Sequence, residues 1–195
     1  MSYIILGLGN PGEEYEKTRH NVGAIALDMF AKKIGGGEWK KDGVRNAFIA
    51  KADLSGEKIL FIKPQAFMNK SGVSVKDLAG SKKKIENMVV IHDDLDLPIG
   101  SMKIVFDRGS GGHKGVESIN RAVKSTAYAR IRIGVCPTTP SGKLKKPDHD
   151  KLLDFIVGEM KASELDAIKK IGKKVCEALE MMITESRQKA MTEFN

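Results

Sequence analysis

Two amides, one imidazole and one carboxylate stand far apart along the chain, at Asn10, His20, Asn69 and Asp93. A histidine ring titrates near pH ~6.5, so near neutrality a fraction of it is free to accept a proton from water. A carboxylate such as Asp93 can orient that ring and stabilise its protonated form. Asn10 and Asn69 can hold a water molecule or a carbonyl oxygen without adding charge. These residue types together suit hydrolysis with water as the nucleophile, and His113 offers a second imidazole.

Other chemistries compete for the same residues. Gly7-Leu8-Gly9-Asn10-Pro11-Gly12 matches the G-x-G-x-x-G dinucleotide pattern literally. Its continuation, Glu13-Glu14-Tyr15-Glu16-Lys17, sets three acids where a pyrophosphate would sit, and no acid-ended second strand follows about 20 residues on. No GxxxxGK[ST] occurs. The run His92-Asp93-Asp94-Leu95-Asp96 can be read as a metal site, with His113 and a Glu completing it, although it lacks paired-histidine spacing. It can equally cap turns. Ser71 is not in a nucleophile elbow and suits a helix start. Cys136 has no neighbours that activate a thiolate.

The elements that must position these groups follow from periodicity. Tyr3 to Leu8 reads as a strand stopped by the Gly/Pro cluster, and a helix is expected from His20 or Asn21 to about Lys33, with Val22, Ile25, Met29 and Phe30 facing inward. Ala47 to Ala52 and Lys58 to Lys63 read as an antiparallel hairpin. A short helix is expected from Ser71 to Ala79, a buried strand at Met88 to Ile91, and a strand at Met102 to Phe106. A helix starting near Gly112 or His113 and a strand at Ala129 to Val135 come next. Residues 137–150 are expected to form an exposed, mobile loop. A last long helix starts around Ser163, with Asp166 completing a capping box. Alternating strand and helix signals predict an α/β fold: one three-layer domain over 1–195, with a twisted mixed β-sheet flanked by helices.

Composition agrees with a single domain. The 195 residues are 41% hydrophobic and 6% aromatic, so Ile, Leu, Val, Met and Ala carry the packing. No apolar run approaches the roughly 18 residues of a membrane span, and the N-terminus lacks a secretory pattern, so a cytoplasmic location is expected. The two cysteines, Cys136 and Cys176, form no disulfide framework and are expected as reduced thiols. Lys and Arg total 33 against 25 acids, a net charge of +8 that steers polyanions toward the protein. The blocks Lys82-Lys83-Lys84 and Lys143-Leu144-Lys145-Lys146 are read as solvated loops or as nucleic-acid contacts.

Read jointly, the motifs form an ordered set. GLGNPG, Tyr15, Thr18-Arg19-His20-Asn21, Lys63-Pro64 with Phe67-Met68-Asn69-Lys70-Ser71-Gly72, His92 to Pro98, Gly111-Gly112-His113-Lys114-Gly115, Arg130 to Gly134 and Asp154 to Gly158 follow the order of bacterial-type peptidyl-tRNA hydrolases. The chain resembles that family over nearly its whole length. The resemblance implies a monomeric enzyme that cleaves the ester between a peptide and the 3′-terminal ribose of tRNA, with no cofactor, no required metal and no membrane partner. It makes His20 the general base and Asp93 its orienting carboxylate. Asn10 and Asn69 become positioning or charge-stabilising groups, and Tyr15, Phe67, Met68, His113 and Lys114 line the peptide or nucleotide channel. Lys103 and Arg132 are the implied contacts to tRNA phosphate or to acidic structural partners. Lys114 stands where the family commonly has Asn, and Cys136-Pro137 replaces the usual Gly-Arg. A noncatalytic RNA-binding relative and a metal-dependent hydrolase using His92, Asp93, Asp94 and Asp96 are the alternatives.

Overall fold

The computed structural model of the chain describes residues 2–195. Its strands are β1 (Ser2–Gly7), β2 (Lys40–Asp42), β3 (Ala47–Leu54), β4 (Glu57–Pro64), β5 (Met88–Pro98), β6 (Met102–Phe106) and β7 (Ala129–Cys136). The helices are α1 (Val22–Lys33), α2 (Lys82–Glu86), α3 (Lys114–Val123), α4 (Leu152–Val157), α5 (Ala162–Thr184) and α6 (Arg187–Phe194). One sheet runs in the order β2-β3-β4-β1-β5-β7-β6. β1 pairs in parallel with β4 and β5, β5 in parallel with β7, while the hairpin β3–β4 and the neighbours β6 and β7, joined through α3, are antiparallel. The sheet is therefore mixed, as the short Asp53-to-Gly56 connection required.

Strand alternation divides the core into two layers. Ile5, Phe61, Val89, Ile91, Ile131 and Ile133 face α1 and α5, packing on Leu27, Phe30, Val175 and Leu179. Ile4, Leu6, Ile62, Met88 and Val90 face the opposite way, against Val75, Val116 and Ile119. The result is one α/β domain with helices on both faces of the sheet.

Several local expectations shift. The segment Arg19–Asn21 is a 3-10 turn and α1 begins only at Val22, so His20 lies in a tight turn before the helix. The buried stripe of α1 is Val22, Ala26, Leu27, Phe30 and Ala31, with Ile25 and Met29 only partly covered. The expected helix from Ser71 is a 3-10 run, Met68–Leu78, and Ser71 sits inside it, donating to Met68 O at 2.8 Å rather than capping a start. Close packing holds this run on α3, where Gly72 N–H donates to Ser118 Oγ at 3.0 Å. α5 starts before Ser163: Glu164 Oε2 accepts the Lys161 N–H at 2.8 Å, so Glu164, not Asp166, closes that end. Lys82-Lys83-Lys84 belongs to α2. The exposed character of 137–150 holds for most of its residues.

The largest shift concerns residues 92–96. They do not follow a strand end; β5 continues through them to Pro98, because β7 pairs with it as far as Asp94↔Gly134 and again at Pro98↔Cys136. The irregularity between these pairs lies at the carboxyl end of the sheet, where crevices form.

Candidate active site

Two imidazoles from separate elements converge on one carboxylate oxygen. His20 Nδ1 and His113 Nε2 each lie 2.9 Å from Asp93 Oδ1. All three residues have nearly buried side chains. His113 is the N-cap of α3, and its Nδ1 accepts the N–H groups of Gly115 (3.1 Å) and Val116 (3.3 Å). A nitrogen that accepts carries no proton, so the ring proton of His113 is at Nε2 and is donated to Asp93. His20 likewise donates from Nδ1, which leaves the lone pair of its Nε2 available for a reactant.

The electrostatics follow from this geometry. Burial opposes protonation of His20, but the charge of Asp93 and its hydrogen bond outweigh that and hold the ring above its ordinary 6.5. Burial also opposes ionisation of Asp93, yet His20 and His113 keep its carboxyl well below the usual range. His92 goes the other way. Burial first, then the adjacent His113 ring and Arg130 guanidinium, push it well below 6.5. Its Nδ1 donates to Asp93 O at 2.7 Å and its Nε2 accepts from Arg130 at 3.3 Å.

The run His92 to Asp96 therefore does not act as one ligand set. Alternation along β5 sends His92 and Asp94 toward Arg130 and Arg132 of β7, and Asp93 toward His20. Asp94 is ion-paired with Arg132, and Asp96 with Lys146. The potential ligand atoms of His20, Asp93 and His113 cluster within 4.8 Å of one another, with both imidazoles at hydrogen-bond distance from Asp93 Oδ1.

Residue packing explains why His20 sits where it does. Gly23, at the start of α1, touches the backbone of Leu8 and Ile91 so closely that a Cβ there would collide with both. Leu8 O accepts the Ala24 N–H at 3.0 Å, tying the helix to the end of β1. Arg19 anchors the turn from the other side. It forms a two-pronged pair with Glu164 of α5 (2.7 and 2.8 Å), donates to Phe155 O at 3.1 Å and stacks over the Phe155 ring. The signal for Arg19 was its place in the Thr18-to-Asn21 motif; its distant partner has none.

Asn10 is locked by its neighbours. Its N–H donates to Asn21 Oδ1 at 2.8 Å, its carbonyl accepts from Asn21 Nδ2 at 2.9 Å, and its side-chain Oδ1 accepts the Met68 N–H at 2.9 Å. The glycines of GLGNPG thus support an amide clasp, and α1 begins too late in the sequence for a dinucleotide turn. Asn69, next to Met68, is exposed. Met68 itself is buried, its sulfur against Gly115, so its side chain serves the core while its backbone holds Asn10. Tyr15 meets the exposed Phe67 ring edge-on at 6.5 Å.

Two recesses adjoin. A cleft of about 600 Å³ is lined by His20, Asp93, His113, Lys114 and the apolar Leu152 and Ile156. A groove of about 440 Å³ beside it is lined by Lys103, Arg108, Arg130 and Arg132. Both share the wall Asp94, Ser110 and Gly111. Arg108 was not foreseen, because its basic neighbours are distant in sequence. Both cysteines are buried and free, and burial pushes Cys136 up and Cys176 to about 11, so neither is an activated thiolate.

The comparisons with known proteins agree with one another. The family model described as peptidyl-tRNA hydrolase matches residues 4–195. A peptidyl-tRNA hydrolase of Bdellovibrio bacteriovorus is 38% identical over 197 residues, covering 99% of both chains. That of a Geobacter species is 39% identical over 199 residues, covering 98% of this chain and 97% of the relative. The crystal structure of peptidyl-tRNA hydrolase from Acinetobacter baumannii superposes with a TM-score of 0.87 at 25% identity, covering 99% of this chain and 94% of that one. With sequence and fold matched end to end, this chain belongs to the peptidyl-tRNA hydrolase family.

Proposed function

We infer that the protein hydrolyses the ester joining a peptide, or an N-blocked aminoacyl group, to the 3′-terminal ribose of tRNA, which returns the tRNA to translation. In this reading His20 Nε2 removes a proton from water as the water oxygen attacks the ester carbonyl. Asp93 holds the ring by Nδ1 and stabilises the imidazolium that forms. Breakdown of the tetrahedral intermediate breaks the carbonyl–ribose oxygen bond, and the proton on His20 passes to the departing oxygen. The products are a tRNA with its terminal hydroxyl restored and a peptide carboxylic acid, which releases the second water proton to solvent as it ionises.

The amides serve the developing charge. Asn10, its Oδ1 engaged by Met68, has its NH₂ left to donate, and exposed Asn69 has an amide free to meet the carbonyl oxygen. His113 keeps Asp93 ionised and turned toward His20, and is not itself the proton carrier. Tyr15 and Phe67 contact the peptide or terminal nucleotide beside them. The groove at Lys103 and Arg108 takes acceptor-end phosphates, with Arg132 sharing its charge with Asp94. Segment 137–150, which contributes Lys146 and Pro147 to the cleft wall, moves to admit the peptide. Among the described residues no helix is long and apolar enough to cross a membrane. In this reading the protein acts on tRNA in the cytoplasm, as a monomer.

The observation that carries this reading is the His20–Asp93 hydrogen bond at 2.9 Å in a chain of this family. Its test is release of N-acetylated aminoacyl groups from tRNA by the purified protein with a chelator present. Full activity is expected. Loss restored by one divalent ion would favour metal-dependent hydrolysis, and binding of tRNA without turnover would favour a noncatalytic relative.

A further inference from the structure

The charges around the cleft are unevenly satisfied. Each carboxylate that lines it is engaged: Asp93 by His20 and His113, Asp94 by Arg132, and Asp96 by Lys146. The remaining lysine in the lining, Lys114, has no partner among those carboxylates. Its ammonium meets only Glu117, outside the cleft, at 3.3 Å, and its side chain is 69% exposed. Exposed pairs of this kind hold weakly and are readily exchanged.

Lys114 is also placed against its helix. It opens α3, whose N-terminal end carries partial positive charge, and His113 already occupies the N–H groups of Gly115 and Val116. An anion beside the Lys114 ammonium is therefore held by the lysine rather than by those N–H groups. Lys114 adjoins His113 in sequence, which is one hydrogen bond from Asp93 and two from His20. Lys114 lines the same cleft as His20 and His113, where a peptide esterified beside His20 Nε2 would lie.

Resting on the ester-cleavage reading above, we propose that Lys114 is a specificity-determining residue favouring peptidyl-tRNAs whose esterified residue carries an acidic side chain. The peptide is preferred to RNA phosphate as its partner by position. The cationic groove of Lys103 and Arg108 lies on the other side of the Ser110–Gly111 wall, while the Lys114 side contains the apolar surfaces of Leu152, Leu153 and Ile156 that suit a peptide.

The test compares kcat/KM for N-acetyl-Asp and N-acetyl-Asn esters on one tRNA body, substrates that differ by one charge. The wild type should favour Asp by about three- to fivefold at low salt, mainly through KM, and the preference should shrink as salt is raised. Lys114→Met and Lys114→Asn should bring the ratio near one, and Glu117→Gln, which removes the competing anion, should raise it. An unchanged ratio in Lys114→Met overturns the proposal. So does an equal loss on both substrates, which marks a contact to the RNA instead. Wild-type protein that cleaves neither ester overturns the hydrolase reading and the proposal with it; cleavage of both with a ratio indifferent to position 114 overturns the proposal alone.

Discussion

His113 and Asp93 are joined Nε2 to Oδ1 at 2.9 Å, and the direction of that bond is set by the start of α3. Because His113 Nδ1 is committed to two backbone N–H groups, its ring can only donate toward Asp93. Removing it by His113→Ala takes away both the cap and the donor. Loss of the cap should destabilise by about 1 kcal/mol in chemical denaturation. Loss of the donor leaves Asp93 more basic, so the His20 pKa seen in the pH–rate profile should rise further. A downward shift would contradict the donor role.

The wild-type pH dependence has a defined sign. His20 must be unprotonated to accept a proton, and Asp93 holds its pKa above 6.5. Activity should therefore rise with pH along a limb centred above 6.5. The same raised pKa means that the pair contributes stability fully present below pH 6.5 and lost as pH rises through the folded-state value. Asp93→Asn should move the limb downward and lower kcat by about 10²–10⁴-fold. A limb unmoved by that substitution would separate Asp93 from His20.

Arg19 tests the scaffold. It lies next to His20 and ties the turn to α5 through Glu164, with both side chains largely buried. Arg19→Gln strands the Glu164 charge, and breaking a buried pair in this way costs about 3–5 kcal/mol. For a chain of this size the Tm should fall by roughly 6–20 °C. A melting temperature within a degree of wild type would show that the pair does not hold the turn.

The basic groove makes a graded prediction. Arg108→Ala and Lys103→Ala should each raise KM and reduce the salt slope of tRNA binding by about one unit, leaving kcat nearly unchanged. Arg132→Ala should have a mixed effect, since it also strands Asp94. Equal salt slopes in wild type and Arg108→Ala would move the phosphate path elsewhere.

Much of the architecture was legible from periodicity. The strand positions, the hairpin and the helix after His113 follow from alternation, short turns and glycine placement. The elements that were missed carry weak local signals: β2 is three residues long, and α4 has no buried residue. In α5 the acid that closes the start also serves Arg19, a partner 145 residues away. Within the site, residue types pointed to His20 and Asp93, which the structure brings to 2.9 Å, and kept a metal reading open. Strand pairing past Ile91 separates His92 and Asp94 from Asp93, and no local pattern in the sequence encodes that pairing. The amide clasp of Asn10 and Asn21 and the opposite proton placements on His20 and His113 depend likewise on contacts between distant segments.

The role of His20 is tested most directly by single-turnover release of an N-acetyl-aminoacyl group from tRNA by His20→Ala, with chelator present and tRNA binding measured in parallel. The expected result is a rate lowered by at least about 10²-fold with binding retained. Release within twofold of wild type would contradict His20 as the base that activates water.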